Sequence, residues 1–282
     1  MAFFLNHPDE RSFDSPARTS ACPPVPPGIS LAPLEEDLPL KQRRVHAVWA
    51  KTTQEVREAQ RLRFEVFSGE MGARLVTKLA GHDIDRFDDY CEHLLVRDIA
   101  TQQVVGTYRV LTPTQARRLD STYCDGEFDL SPLAALRPRM VELGRSCVHP
   151  QHRHGGVILA LWAALAKFML RNKLDTMVGC ASIPMQHGHT ASSIWQQLRH
   201  SHMADSVWRV QPRLALPLSP PPESHRSALP VELPVLVKGY LRLGARVLGP
   251  PAWDPAFNTA DLPMMMRVHE LPARYLRSTH HG

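Results

Sequence analysis

Apolar positions recur along this chain in two periods, one helical and one alternating or continuous as in strands. A short apolar stretch, Val45–Trp49, predicts a strand. Behind it Val56, Ala59, Leu62 and Val66 return at helical spacing and predict a helix from Thr53 through Phe67. His93–Asp98 and Val104–Leu111 are two apolar runs joined by a polar turn, the pattern of a hairpin. A helix near Pro113–Leu119 and an irregular segment to Pro138 come next. Then the pattern gives a strand through Met140–Val148, a break at Pro150, a long apolar helix Val157–Arg171 and a strand Thr176–Ala181. A helix around Ala191–His202 and a strand at Ser206–Val210 complete this stretch. Beyond a break marked by Pro217, Pro220, Pro221 and Pro222, a last segment ends in a strand-like Leu262–Val268 and is expected to complete the sheet. Strands alternating with helices predict a mixed α/β fold, a central sheet flanked by helices with a C-terminal extension. The chain shows no internal repeat.

Composition sharpens this in several respects. Prolines at 8, 16, 23, 24, 26, 27, 33 and 39, with few large apolar residues between them, mark residues 1–44 as an extended or disordered arm. That leaves 45–277 as the folded domain and 278–282 as a tail. The longest apolar run is interrupted by Lys167 and is too short to span a bilayer. The first ten residues lack the charged start and apolar core of a secretory signal, so a cytoplasmic protein is expected. Five scattered cysteines fit reduced thiols better than a disulfide framework, with Cys147 and Cys180 as core residues. The net charge of +5 suits an acidic partner, a carrier protein or, peripherally, an anionic membrane surface. Without basic and aromatic residues interleaved, nucleic acid is not an expected partner.

The segment richest in candidate chemistry is Met140–Val148 together with the turn and helix behind it. One Glu and one Arg, Glu142 and Arg145, lie three apart in an apolar strand, and Arg153, Gly155 and Gly156 precede the long helix. Glycines let a backbone approach an anion closely, and a helix N-terminus adds unpaired N–H groups, so this turn can cradle a phosphate. An ordinary strand-to-helix turn with a solvated Arg153 is the competing reading. His187-Gly188-His189 lacks a third ligand, and no metal is assigned.

Gly106-Thr107-Tyr108-Arg109, Glu142-Leu143-Gly144-Arg145-Ser146-Cys147-Val148 and the turn and helix after Pro150 resemble the GNAT acyltransferase superfamily, in particular its acyl-carrier-protein-dependent branch. Arg63 with Phe67, Asp85 with Asp88, Arg109, and Glu142 with Arg145 are similar to the charged framework of acyl-homoserine-lactone synthases. The closer resemblance is to the L-ornithine N(alpha)-acyltransferases. It includes Asp88 through His93, Gly179-Cys180-Ala181-Ser182, and the tail Lys238-Gly239-Tyr240-Leu241-Arg242-Leu243-Gly244-Ala245 with Asp254, Phe257 and Asp261, spanning roughly 45–277. No tryptophan follows Phe67 where a lactone synthase would carry one, and the C-terminal extension exceeds that architecture.

This resemblance implies transfer of a 3-hydroxyacyl group from acyl carrier protein to the α-amine of L-ornithine, with the carrier's thioester as donor and no other cofactor. The amine is mostly protonated at neutral pH, so attack on a thioester needs a proton acceptor. Glu142 is the candidate, with an ion-pair role beside Arg145 or Arg109 as its alternative. Arg145 would face away from Glu142 in a regular strand, and only a bulge or twist brings the two together; alternatively it holds a backbone turn. His93 is a second candidate base or carboxylate-orienting group, against a purely structural histidine. Arg63, Asp85, Asp88 and Arg109 are candidate acceptor-binding residues, the aspartates as a clamp for a cationic substrate or as a solvated acidic loop. Arg153, Gly155 and Gly156 are the candidates for the pantetheine phosphate. Two other functions remain open at this level: a lactone synthase using S-adenosylmethionine, and a GNAT-like module that binds acyl carrier protein without turnover.

Overall fold

A computed structural model describes residues 44–70, 72–153, 155–185, 188–216 and 231–271, residues 188 and 189 by their backbone alone. The proline-rich arm, the 217–222 break, His154, the His187-Gly188-His189 side chains and the 278–282 tail lie outside the described residues.

The strands are β1 (Val45–Trp49), β2 (Glu92–Asp98), β3 (Val104–Leu111), β4 (Phe128–Asp129), β5 (Met140–Val148), β6 (Thr176–Pro184), β7 (Gln211–Pro212), β8 (Arg246–Val247), β9 (Ala252–Asp254) and β10 (Thr259–Arg267). The helices are α1 (Thr53–Phe64), α2 (Pro113–Leu119), α3 (Tyr123–Glu127), α4 (Gly156–Arg171), α5 (Gly188–Leu198) and α6 (Val235–Arg242). The main sheet runs β1-β2-β3-β5-β6-β10-β8, with β9 also on β10 and β4 paired apart with β7. Neighbours are antiparallel except β5 and β6, whose parallel pairing covers only Met140–Glu142 against Thr176–Val178. Both strands continue past that point, so from Leu143 onward the sheet is split by a wedge.

Local chemistry places the ends of the helices. Thr52 and Glu55 form a reciprocal capping box at the start of α1, Thr112 caps α2 with Pro113 in its first turn, and Thr122 and Asp125 box the short α3, each satisfying amides that a helix start leaves unpaired. Gly155 enters α4 at φ +98, which a side chain rarely tolerates. The apolar α4 packs on β1, β2 and β3 and, with α5 and α6, closes the larger core around Leu94, Tyr108, Leu143, Leu161 and Leu262. On the other face α1 and the turn that follows it bury Ala59, Leu62, Val66 and Phe67 against Leu95 and Cys147.

Three expectations need correction. The helix from Thr53 keeps α geometry only to Phe64 and then widens into a π turn, Glu65–Glu70. Ser206–Val210 is no strand: Ser206–Trp208 is a 3-10 turn closed by Trp208 N on Asp205 O, and strand pairing begins only at Gln211. The stretch before Pro138 is less irregular than expected, for the Thr122 box nucleates α3 and β4 succeeds it.

Candidate active site

The wedge between β5 and β6 gathers the chemistry because β5 is bulged. Thr107 pairs with Cys147 but Arg109 with Gly144, so β5 holds one extra residue, and Arg145 takes the left-handed value φ 49. Such a conformation costs a non-glycine residue about 1–3 kcal/mol unless its surroundings hold it. The bulge resets the alternation, turning Arg145 to the face that Glu142 occupies, and both line an open cleft with Cys91, Arg109, Tyr123 and Cys180.

Glu142 is anchored by backbone. Its Oε2 accepts from the amide of Tyr123 at 2.8 Å and its Oε1 from that of Cys124 at 2.6 Å, the first unpaired donors of α3. A carboxylate offers about four acceptor positions, so each oxygen retains one for a ligand. Glu142 forms no ion pair among the described residues.

The arginines and aspartates brought in by α1, the 83–88 loop, β3 and β5 pair with one another. Arg63 binds Asp83 and Asp88 at 2.8 Å each, Arg109 binds Asp85 at 2.6 Å and lies 3.5 Å from Asp88, and Arg145 binds Asp83 at 3.1 Å and Asp85 at 3.0 Å. Three cations thus face three anions, all but Asp85 nearly buried. Burial pushes the Asp85 carboxyl up, but Arg109 and Arg145 outweigh it and hold it below the usual range. Asp88 shows the same balance, burial being overcome by Arg63 and Arg109. Both acceptor-clamp candidates are therefore neutralised within the protein. His93 Nε2 donates to the Asp88 carbonyl at 2.9 Å, leaving Nδ1 buried without a partner among the described residues, and burial lowers its pKa, which favours the neutral ring.

Arg153 stands at the outer end of the wedge, paired through Nη2 with both Glu70 oxygens at 3.0 and 2.9 Å. Beside it Gly155 and Gly156 open α4 with no side-chain cap among the described residues, an arrangement that suits an anion. Burial pushes the Cys91 thiol up to about 12 and raises Cys147 as well, which removes both as thiolate nucleophiles. Among the described residues no set of His, Cys, Asp or Glu side chains converges as a metal site.

Leu143 also lines a second, mainly apolar cavity on the opposite face, walled by Tyr108, Trp162, Leu165, Met177 and Tyr240. The split in the sheet thus has a polar cleft on one side and an apolar one on the other. Sequence reasoning missed Asp83, the anchoring amides of Tyr123 and Cys124, and a third cavity between Tyr123 and Asp261; the Thr122-x-x-Asp125 capping signature was the available signal for the amides.

A bulged strand, a split parallel pair and a glycine-started helix beside it define a GNAT-type acyltransferase. Residues 62–163 match the family model described as an acetyltransferase (GNAT) domain. The chain is 36% identical over 234 residues to the L-ornithine N(alpha)-acyltransferase of Brucella abortus, covering 78% of this chain and 83% of that protein. It is 35% identical to the enzyme of that name from Rhodobacter capsulatus, covering 80% and 91%. The chain belongs to the L-ornithine N(alpha)-acyltransferase family. Among solved structures, a CoA-dependent acyl-homoserine lactone synthase with MTA shares the fold at TM-score 0.50 and 18% identity, covering 83% of this chain and 89% of that one. No helix among the described residues is long and apolar enough to cross a membrane.

Proposed function

We propose that this acyltransferase moves a 3-hydroxyacyl group from acyl carrier protein to the α-amine of L-ornithine, forming lyso-ornithine lipid, the first step of ornithine lipid biosynthesis. The observation that carries this reading is the 34–36% identity to enzymes named for that acceptor across about four-fifths of the chain. The geometry supports it. An extended pantetheine arm can enter the wedge along the unpaired edges of β5 and β6, with its phosphate toward the α4 amides and Arg153. The apolar cavity beyond Leu143 suits a fatty chain.

In the step itself Glu142 takes a proton from the acceptor ammonium, directly or through one water, and the free amine attacks the thioester carbonyl. The N–C bond forms, the C–S bond breaks, the second proton that the nitrogen sheds on becoming an amide passes to the carrier's thiolate, and the proton held by Glu142 is released to solvent. General-base help of this kind contributes about 10²- to 10⁴-fold. His93, with its free Nδ1, is the reserve candidate. The +5 charge favours an acidic carrier protein, and an anionic membrane surface as peripheral partner.

The test is acyl transfer to L-ornithine from 3-hydroxyacyl carrier protein and from acetyl-coenzyme A at matched concentration, together with lipid profiling of a host expressing the protein. Carrier-dependent transfer and a new aminolipid are expected; preference for acetyl-coenzyme A overturns the donor, and a diffusible lactone overturns the acceptor.

A further inference from the structure

Two cysteine sulfurs meet at the wall of the polar cleft. Cys124, in the first turn of α3, and Cys180, on β6, lie 56 positions apart in the chain and bring their Sγ atoms to 3.6 Å. Both are free thiols, and both line the cleft that Glu142 lines. Cys180 stands beyond the point at which β6 parts from β5. Cys124 is tied to the site through its backbone, for its amide holds Glu142 Oε1 at 2.6 Å. Acyl transfer by the route above uses neither sulfur. Cys91 lines the same cleft but forms no such pair among the described residues, and Cys147 lies in the core against α1.

Spacing and protonation state decide what such a pair can take. A disulfide needs its sulfurs about 2.05 Å apart. Closing one would draw α3 and β6 together by roughly 1.5 Å, against a packed core that includes Phe128, Leu130, Val178 and Met265. Two sulfurs bonded to a single bridging atom stand close to van der Waals contact, the spacing already present. The hydrogen bond to Cys180 and burial push the Cys124 thiol well above its ordinary range. The Cys124 donor favours the Cys180 thiolate, but burial outweighs it and raises Cys180 as well. Disulfide exchange and metal ligation both require thiolates, so this pair is suited to neither. What it suits is a thiophilic centre that accepts two protonated thiols and leaves the buried site uncharged. Trivalent arsenic meets both conditions.

We propose that Cys124 and Cys180 form a dithiol site for trivalent arsenicals, and that its occupation blocks acyl transfer. With hydrated phenylarsine oxide, two As–S bonds form and two As–O bonds break. The two thiol protons leave with the two hydroxyl groups as two waters, arsenic stays trivalent, and nothing is oxidised or reduced. The phenyl group remains in the cleft that Glu142 lines, where the acceptor amine and the thioester have to meet. The block rests on the reading that transfer takes place in this cleft; the capture rests on the sulfur geometry alone.

The experiment titrates the reduced full-length enzyme with phenylarsine oxide. Mass spectrometry reads the arsenic per chain and the peptides it joins, while acyl transfer to L-ornithine from 3-hydroxyacyl carrier protein is followed in parallel. One arsenic joining the Cys124 and Cys180 peptides is expected, with loss of nearly all activity. Dimercaptopropanol should restore the rate and mercaptoethanol at equal thiol concentration should not, because two sulfurs held together recapture a bond that a monothiol opens. Cys180→Ala, measured against its own untreated rate, should resist the arsenical, and Cys91→Ala should capture it as the wild type does. Arsenic on other cysteines, capture that survives Cys180→Ala, or reversal by the monothiol overturns the site. Capture by the pair with the rate untouched overturns the block. An enzyme inert toward L-ornithine before treatment overturns the functional reading, while the mass measurement still decides the dithiol site.

Discussion

Glu142 owes its position to two backbone amides, and this shapes what its substitution will do. Glutamine keeps the size but turns an NH2 toward one of the Tyr123 and Cys124 donors, which leaves a buried pair of donors facing each other. Glu142→Gln is therefore expected to lower stability by about 1–3 kcal/mol and, with the proton acceptor gone, to lower turnover by about 10²-fold or more. Denaturant melts and steady-state rates separate the effects: raising the pH should recover part of the rate, since more amine is already neutral, and none of the stability. Near-normal turnover in a folded Glu142→Gln protein would move the base to His93. Arg145 is the other residue whose role depends on backbone, since only its left-handed φ brings it to the face of Glu142.

At the level of elements, the turn between β5 and α4 carries the donor assignment. α4 starts at a glycine with no side-chain cap among the described residues, and its positive dipole end favours an anion there. Arg153 is held beside them by Glu70, an exposed pair of the kind that contributes little stability and exchanges readily for a phosphate. Arg153→Ala is expected to raise KM for the acyl carrier protein donor several-fold, to leave KM for the acceptor unchanged and to move the melting temperature by little. Unchanged donor kinetics would place the phosphate elsewhere.

Across the whole molecule, buried charge divides into a balanced set and an unbalanced one, and the two respond to pH in opposite senses. Asp85 and Asp88 have folded pKa values below their ordinary 3.8, so the stability they lend is complete above that value and is lost as pH falls through the folded pKa. Glu127 is raised from 4.5 to about 8, so its contribution is complete below pH 4.5 and is lost as pH rises through 8. Glu127→Gln should therefore raise the melting temperature at pH 8 to 9 by a few degrees and leave it unchanged near pH 4. Equal shifts at both pH values would show that Glu127 remains ionised throughout.

The order of elements was legible in the sequence because strand and helix periodicity are local properties: β1, the β2–β3 hairpin, β5, α4, β6 and β10 all fall where the apolar pattern puts them. Short pieces were not, for α3 is marked by a capping box in place of a period, and Ser206–Val210 alternates without a partner strand to pair with. The pairing of Glu142 with the wedge was half legible. Its residue type and spacing stand in the sequence, while the bulge that swings Arg145 to the same face depends on the register of β3 against β5. The acidic loop reads as a cationic clamp because its aspartates are neighbours in sequence; their arginines come from positions 63, 109 and 145, and only folding shows the charges cancelled. Conversely, Asp254 and Asp261 stand out in the sequence only through the family resemblance, which gives them no role. Tyr123, Arg145 and Phe67 reach them from distant parts of the chain, and whether a carboxylate has a counter-ion is decided by what the tertiary structure packs against it.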